Sequence, residues 1–284
     1  MPAGHRVAVV TGANKGIGKE IARKLGSVPN LTTILACRNK ALGAAAVKEL
    51  QAAGCGDVLF HPFDLADEQS AKALSVFVTD KYGQVDILVN NAAICFNDPT
   101  LYGKVAHTPF KQQAAITVQN NFFGTLALTK ELLPLLRVSA SPRIINIASA
   151  AGRLSILKSQ EKVDFFTSPD LQVPDLEKMM TQFVQDVENG VHAEKGWPNT
   201  CYGTSKIGLI ALTKVLARDE PKIMVNSVDP GYCATDQNAN QGDRPAELGA
   251  RTAAALSLMQ VNEETPFQSG KHFYDGKEIS WWYK

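Results

Sequence analysis

The sequence lacks what would tie it to a membrane, a metal or a polyanion. No apolar run reaches the roughly 18–20 residues that cross a bilayer, and the opening Met1-Pro-Ala-Gly-His5 carries no apolar signal core. Cysteines are few: Cys37, Cys55, Cys95, Cys201 and Cys233 are scattered, odd in number and without ligand spacing. They argue against a disulfide framework and a metal site, and lead us to expect free thiols in a cytoplasmic, reducing setting. A net charge of +1 gives no electrostatic footprint for nucleic acid or an anionic membrane. No repeat or low-complexity tract interrupts the chain. What remains is 284 residues, 45% hydrophobic and 20% charged. That suits one large α/β domain over 1–284 with a substantial core.

Apolar runs alternate with amphipathic stretches. Strands are expected at 6–11, 33–37, 58–63, 87–90, 143–148, 224–228 and 271–274, and helices at 17–26, 40–53, 67–82, 112–136, 202–218 and 245–259. This alternation predicts a single doubly wound parallel sheet of about seven strands, helices on both faces, with ligands at the carboxyl ends of the strands. Near the C-terminus, Asp275-Gly276 is a hairpin signal, and the Trp281–Trp282 pair reads as packing.

Two short stretches carry chemistry. After the β-branched run Val7–Val10 come Gly12, Gly16 and Gly18, and Lys19–Leu25 then reads as a helix. Glycines at a strand–helix junction let the backbone turn sharply and approach a pyrophosphate at the positive end of the helix. Tyr202 and Lys206 stand four apart, on one helix face. An ammonium there favours ionisation of a phenol whose ordinary pKa is about 10, so that it trades protons with a substrate oxygen near neutral pH.

Thr11-Gly-Ala-Asn-Lys-Gly-Ile-Gly18, Asp64, Asn90-Asn91-Ala92, Asn121-Phe-Phe-Gly-Thr125, Ser149, Tyr202-x-x-x-Lys206 and Pro230-Gly231 follow one another in the order of a known family. Over nearly its whole length the chain resembles a short-chain dehydrogenase/reductase. The likeness is to the carbonyl reductase branch, with an insertion before the active-site tyrosine.

The resemblance implies roles. Tyr202 would be the proton donor, Ser149 would hold the carbonyl, and Lys206 would tune Tyr202 and bind the nicotinamide ribose. Asn121 would anchor a water linking Lys206 to solvent, with Asn120 as a one-residue alternative. NADPH or NADP would lie against Gly12, Asn14, Lys15, Gly16, Ile17 and Gly18, against Asp64 and Leu65, against Asn90, Asn91 and Ala92, and against Pro230, Gly231 and Thr235. Asp64 would contact the adenine, or alternatively cap the next helix. Ser149 also has an ordinary use as a turn cap. Ala93 and Ala148 depart from the usual glycine and serine of the pattern.

Cofactor choice rests on residue type. The second strand ends Leu35-Ala-Cys-Arg38, with Arg38 where an NAD-selective carboxylate would sit. A guanidinium there suits a 2′-phosphate, and Lys15 adds a second positive charge. The expected substrates are hydrophobic or aromatic ketones, aldehydes or quinones, in a pocket lined by Ser149, Ala150, Ala151, Ile94, Cys95, Phe96, Trp197 and Tyr232. Cys201 reads as a buried small residue rather than a reactive thiol. Oxidation of a specific secondary alcohol is the competing direction, and a non-catalytic NADP(H)-binding role is opposed by the intact Ser149, Tyr202 and Lys206. Nucleotide-sugar chemistry is set aside, because its Gly-x-x-Gly-x-x-Gly loop and longer C-terminal domain are missing. About 52 residues separate Ser149 from Tyr202 and include a helical stretch at 173–191. This insertion, at about 153–198, implies by resemblance a monomer.

Overall fold

A computed structural model describes residues 4–96, 108–260 and 267–282. Strands β1 (Arg6–Thr11), β2 (Leu31–Cys37), β3 (Val58–Pro62), β4 (Ile87–Asn90), β5 (Arg143–Ile147), β6 (Met224–Asp229) and β9 (His272–Tyr274) run parallel. Their order is β3-β2-β1-β4-β5-β6-β9, and β10 (Lys277–Glu278) adds antiparallel to β9. Of the eight described strands in this sheet, β10 is the one beyond the seven expected. It arises from the Asp275-Gly276 turn, where both residues adopt positive φ (47° and 79°) and bring Lys277 opposite Tyr274. Two consecutive left-handed residues match the right-handed twist of a hairpin. A second, two-stranded sheet pairs β7 (Cys233–Ala234) with β8 (Arg244–Pro245).

The sheet is buried from both sides because its strands are apolar on both faces. In β1, Val7 and Val9 join a core with Leu74, Leu132 and Ile207, whereas Ala8 and Val10 join Ile21, Leu25 and Ala253 on the other face. The period of two along a strand thus feeds two layers. One layer holds α1 (Gly16–Gly26), α2 (Lys40–Ala52) and α9 (Ala246–Leu258). The other holds α3 (Glu68–Tyr82), α4 (Phe110–Val118), α5 (Thr125–Arg137) and α8 (Cys201–Asp219).

The single helix expected at 112–136 is continuous but not uniform. Between α4 and α5, Gln119–Gly124 forms a π-helical segment. One extra residue per turn is invisible to a 3.6-residue period, and such segments concentrate at functional sites. Gly124 follows from the packing there: a Cβ would lie 2.1 Å from the Leu65 carbonyl oxygen.

The insertion folds as two helices, α6 (Gln160–Thr167) and α7 (Val173–Glu188). The periodicity reading found α7 and missed the shorter α6. In α7, Leu176, Met180, Phe183 and Val187 are buried at spacings of four, three and four, one face of a helix. Met180 seats against Gly208 of α8, where a Cβ would fall 2.8 Å from its sulfur.

Candidate active site

A cleft of about 390 Å³ opens at the carboxyl ends of β1, β2 and β4, bounded by the glycine loop. Gly12 and Gly16 have φ of +66° and +54°, conformations that glycine adopts without steric cost. A Cβ on Gly18 would lie 2.5 Å from both the Asn91 amide nitrogen and the Gly12 carbonyl oxygen. Asn91 locks this loop by donating from Nδ2 to the Thr11 carbonyl at 2.8 Å. Thr11 Oγ1 in turn accepts from the backbone N–H groups of Asn91 and Ala92, at 3.0 and 2.9 Å. Thr11 opens the quoted glycine motif, but this locking role follows only from the fold that brings β4 beside β1.

Asn14, Lys15, Ile17, Arg38, Asp64, Leu65, Ala92 and Thr235 all line this cleft. Arg38 is exposed and has no hydrogen bond or ion pair to another described residue. Lys15 Nζ instead pairs with Asp236 at 2.9 Å. Asp64 serves its own turn as well as the cleft, since its Oδ1 accepts from Ala66 N–H at 3.1 Å. The cap of α3 is Asp67. Asn120, the one-residue alternative to Asn121, also borders the cleft, together with Leu42, an exposed apolar side chain that followed from no motif.

The cleft continues into a smaller recess of about 110 Å³ lined by Ser149, Tyr202, Lys206, Pro230, Gly231 and Tyr232. Ile17, Asn91 and Thr235 border both parts. Tyr202 enters the recess from the first turn of α8, which Thr200 caps through a 2.9 Å bond from Gly203 N–H. One helical turn on, Lys206 is 2% exposed, its Nζ 5.4 Å from the centre of the Tyr202 ring and donating to the Ile147 carbonyl at 2.6 Å. Burial pushes the Lys206 ammonium down to about 8, against the opposing influence of Cys95 and Asp229.

Ser149 follows β5 and opens a short 3₁₀ turn, Ala150–Gly152. Its Oγ accepts from Ala151 N–H at 3.1 Å, so the cap role and the position in the cleft coexist. With a backbone donor on its oxygen, the hydroxyl proton is left to point at a ligand. Gly152 lets this turn press on α8, because a Cβ would fall 2.7 Å from Lys206 Cβ.

The π segment presents Asn120 and Asn121 differently. Asn121 is 1% exposed, and its amide accepts from Ile94 N–H at 2.8 Å and donates to the Ile94 carbonyl at 2.9 Å and Ser205 Oγ at 3.0 Å. It ties the segment after β4 to the residue preceding Lys206. Asn120 donates to the Ile116 carbonyl and borders the cleft.

Trp197, Asn90, Ala150, Ala151 and Cys95, all expected at the site, line neither part of the cleft. Trp197 is 1% exposed, its indole N–H on Asp186 at 2.9 Å and its rings against Phe166 and Phe183. An insertion long enough to fold needs an apolar centre, and Trp197 supplies it rather than a substrate wall. Although burial alone raises the Asp186 carboxyl, bonds from Lys195, Gln182 and Trp197 hold it below its ordinary value. Asn90 is also turned away, its Nδ2 donating to Thr129 Oγ1 and Asn146 Oδ1 beneath the sheet end. Ala150 and Ala151 are half-buried in the turn that packs on α8. Cys95 is half-buried with Sγ on the Phe96 carbonyl, and Tyr232 is 43% exposed at the mouth.

A model of the short chain dehydrogenase family matches residues 6–159 and 189–246. The chain belongs to this family. The unmatched stretch between those segments is where α6 and α7 lie, so the insertion is an addition to the shared fold. The chain is 38% identical to carbonyl reductase [NADPH] 1 of Bos taurus over 99% of its own length and 100% of the relative's. It is 40% identical to carbonyl reductase [NADPH] 3 of Mus musculus, over 94% and 95%. Salutaridine reductase of Papaver somniferum superposes with a TM-score of 0.84 at 31% identity, over 95% of this short-chain dehydrogenase and all of the other chain.

Proposed function

We infer that this protein is an NADPH-dependent carbonyl reductase. The observation that carries the reading is one continuous cleft. It joins a glycine cradle and Arg38, unpaired among the described residues, at one end to Ser149, Tyr202 and Lys206 at the other. The residues present fit a phosphorylated dinucleotide: Gly12 and Gly18 leave no room for side chains, Arg38 offers a free guanidinium fork, and no carboxylate takes its place. The identities of 38% and 40% to proteins named carbonyl reductase [NADPH] support the same chemistry.

When bound, NADPH supplies a hydride to the carbonyl carbon of the substrate. The protein's own residues manage the oxygen. Ser149 Oγ–H donates to it and sets its position, an oxyanion-type contribution. Tyr202 O–H gives it the proton that completes the alcohol. Lys206, fixed on the Ile147 carbonyl, places a positive charge beside the phenol and favours proton release. Asn121 holds the Ile94 segment and Ser205 in register with that pair.

The substrate is a hydrophobic or aromatic ketone, aldehyde or quinone, a reading supported by Tyr232 and Pro230 in the lining of the recess. The insertion favours a monomer, because α7 packs onto α4 and α8 and Lys130 of α5 pairs with Glu177 at 2.9 Å. A cytoplasmic setting is consistent with five free cysteines. Among the described residues no helix is long and apolar enough to cross a membrane.

The test is NADPH oxidation, followed by absorbance, against a panel of aromatic ketones, aldehydes and quinones, with NADH in parallel. Turnover with NADPH well above NADH is expected. NADPH binding without turnover on any carbonyl would point to alcohol oxidation or a non-catalytic role.

A further inference from the structure

We propose that Asp229 is a positioning residue for the acid–base pair: it fixes the Pro230–Gly231 wall of the recess and places a negative charge behind Lys206. The proposal rests on the reductase reading and names a residue outside its motif.

Asp229 ends β6 and is 4% exposed. Its Oδ1 accepts from Gly231 N–H at 2.9 Å, bridging Pro230, which has no N–H of its own. The wall is then locked from the far side. Gly231 has φ +77°, and a Cβ there would fall 2.8 Å from Arg244 Cδ. Cys233 N–H bonds the Gly231 carbonyl at 3.0 Å, and Cys233 Sγ bonds the Pro230 carbonyl at 3.2 Å. Pro230 and Gly231 face Ser149, Tyr202 and Lys206 across the recess, so the Asp229 turn sets its width.

The same carboxylate lies close behind the lysine. Lys206 Nζ sits on the carbonyl of Ile147, which pairs with Val228, and Asp229 is the next residue along β6. Asp229 and Cys95 are the neighbours that favour the charged form of Lys206, while the Tyr202 ring lies 5.4 Å from Nζ. Asp229 also acts on His272 of β9, which is 4% exposed, shares a 2.9 Å bond with Ser227 and is held neutral by burial. Lys214 of α8 acts on that histidine rather than on Lys206. Arg244 of β8 meets Tyr274 and Asp275 at the outer edge. With His272 neutral, the Asp229 carboxylate acts on Lys206 and on the Cys233 thiol.

Asp229→Asn and Asp229→Ala separate the two roles, because asparagine keeps the oxygen that accepts from Gly231 and loses only the charge. Lys206 is titrated in the cofactor-free full chain by NMR of ¹³C-labelled lysine, its signal assigned with Lys206→Met. NADPH affinity is read by fluorescence. In both variants the Lys206 midpoint falls by about half a unit or more. NADPH affinity stays within about twofold in the Asn variant and weakens about threefold or more in the Ala variant. A Lys206 midpoint unchanged in a folded Asn variant, or equal NADPH affinity in the Asn and Ala variants, would overturn the proposal. A wild-type chain that fails to bind NADPH would instead sink the reductase reading, and the lysine titration would still decide the charge role.

Discussion

At the residue scale, the candidate site separates groups that meet ligand from groups that hold other groups in place. In the proposed reading Arg38 belongs to the first kind: it is exposed, unpaired among the described residues and at the rim of the cleft. Lys15, read from sequence as a second phosphate contact, carries an ion pair to Asp236 between two largely exposed partners. Such a pair contributes about 0–1 kcal/mol and parts readily; the proposed reading assigns cofactor choice chiefly to Arg38. Arg38→Asp is expected to lower kcat/KM with NADPH by about 100-fold and to raise preference for NADH. Steady-state kinetics with both cofactors checks this, and an unchanged ratio would place the phosphate contact elsewhere. Tyr202, Lys206 and the loop glycines were legible in the sequence because their spacing is local, whereas Ser149, far from Tyr202 in sequence, came from the family resemblance. That the Asn90 and Trp197 side chains turn away from the cleft was not legible, because identity alone does not say which way a side chain turns. Only the surrounding fold directs Asn90 onto Thr129 and Trp197 onto Asp186.

At the element scale, the site depends on close approach between a turn and a helix. The Ala150–Gly152 turn rests on α8, and α7 rests on the same helix from farther along, at Gly208. Gly152 is not in the left-handed region, so its substitution tests packing alone. Gly152→Ala would place a Cβ 2.7 Å from Lys206 Cβ and 2.8 Å from its carbonyl carbon. Overpacking of this kind costs about 1–3 kcal/mol. We expect a drop in Tm and, because the shift falls on Ser149 and Lys206 together, at least a tenfold loss in kcat, roughly the cost of displacing catalytic groups. Thermal unfolding and steady-state kinetics measure the two. Boundaries of the expected elements agreed with the sequence to within three residues, since buried runs such as Leu31–Cys37 and caps such as Asn39 and Asp67 are local signals. The π segment escaped because its extra residue serves a distant partner, Asn121 reaching Ile94 and Ser205.

At the scale of the whole molecule, the sheet sets the order of events along the cleft: β2 brings Arg38, β4 brings Asn91, β5 brings Ser149 and β6 brings Pro230–Gly231. The far edge contributes pH sensitivity of its own. His272 is held neutral by burial, its pKa pushed down to about 4 from 6.5 despite Asp229 nearby. Because the folded value lies below the unfolded one, the unfolded chain binds the extra proton first. Stability present above pH 6.5 is therefore lost as pH falls towards 4, and no further loss from this group follows below that. The shift sets a ceiling of about 3 kcal/mol. Urea unfolding between pH 7 and 4.5 should show wild type losing more stability than His272→Asn, and parallel curves would contradict it. The parallel sheet was legible in the alternation of strands and helices. The eighth strand was foreshadowed by Asp275-Gly276, but whether a hairpin signal adds to the main sheet is decided by the register of β9 on β6.

The central claim is that Tyr202 delivers the proton in a reduction for which NADPH is the hydride source. The most direct measurement sets NADPH affinity beside turnover on an aromatic ketone, for wild type and Tyr202→Phe. The account predicts affinity within about twofold and kcat reduced by about 10²-fold or more, the scale of a lost general acid. Comparable turnover in the phenylalanine variant would contradict it.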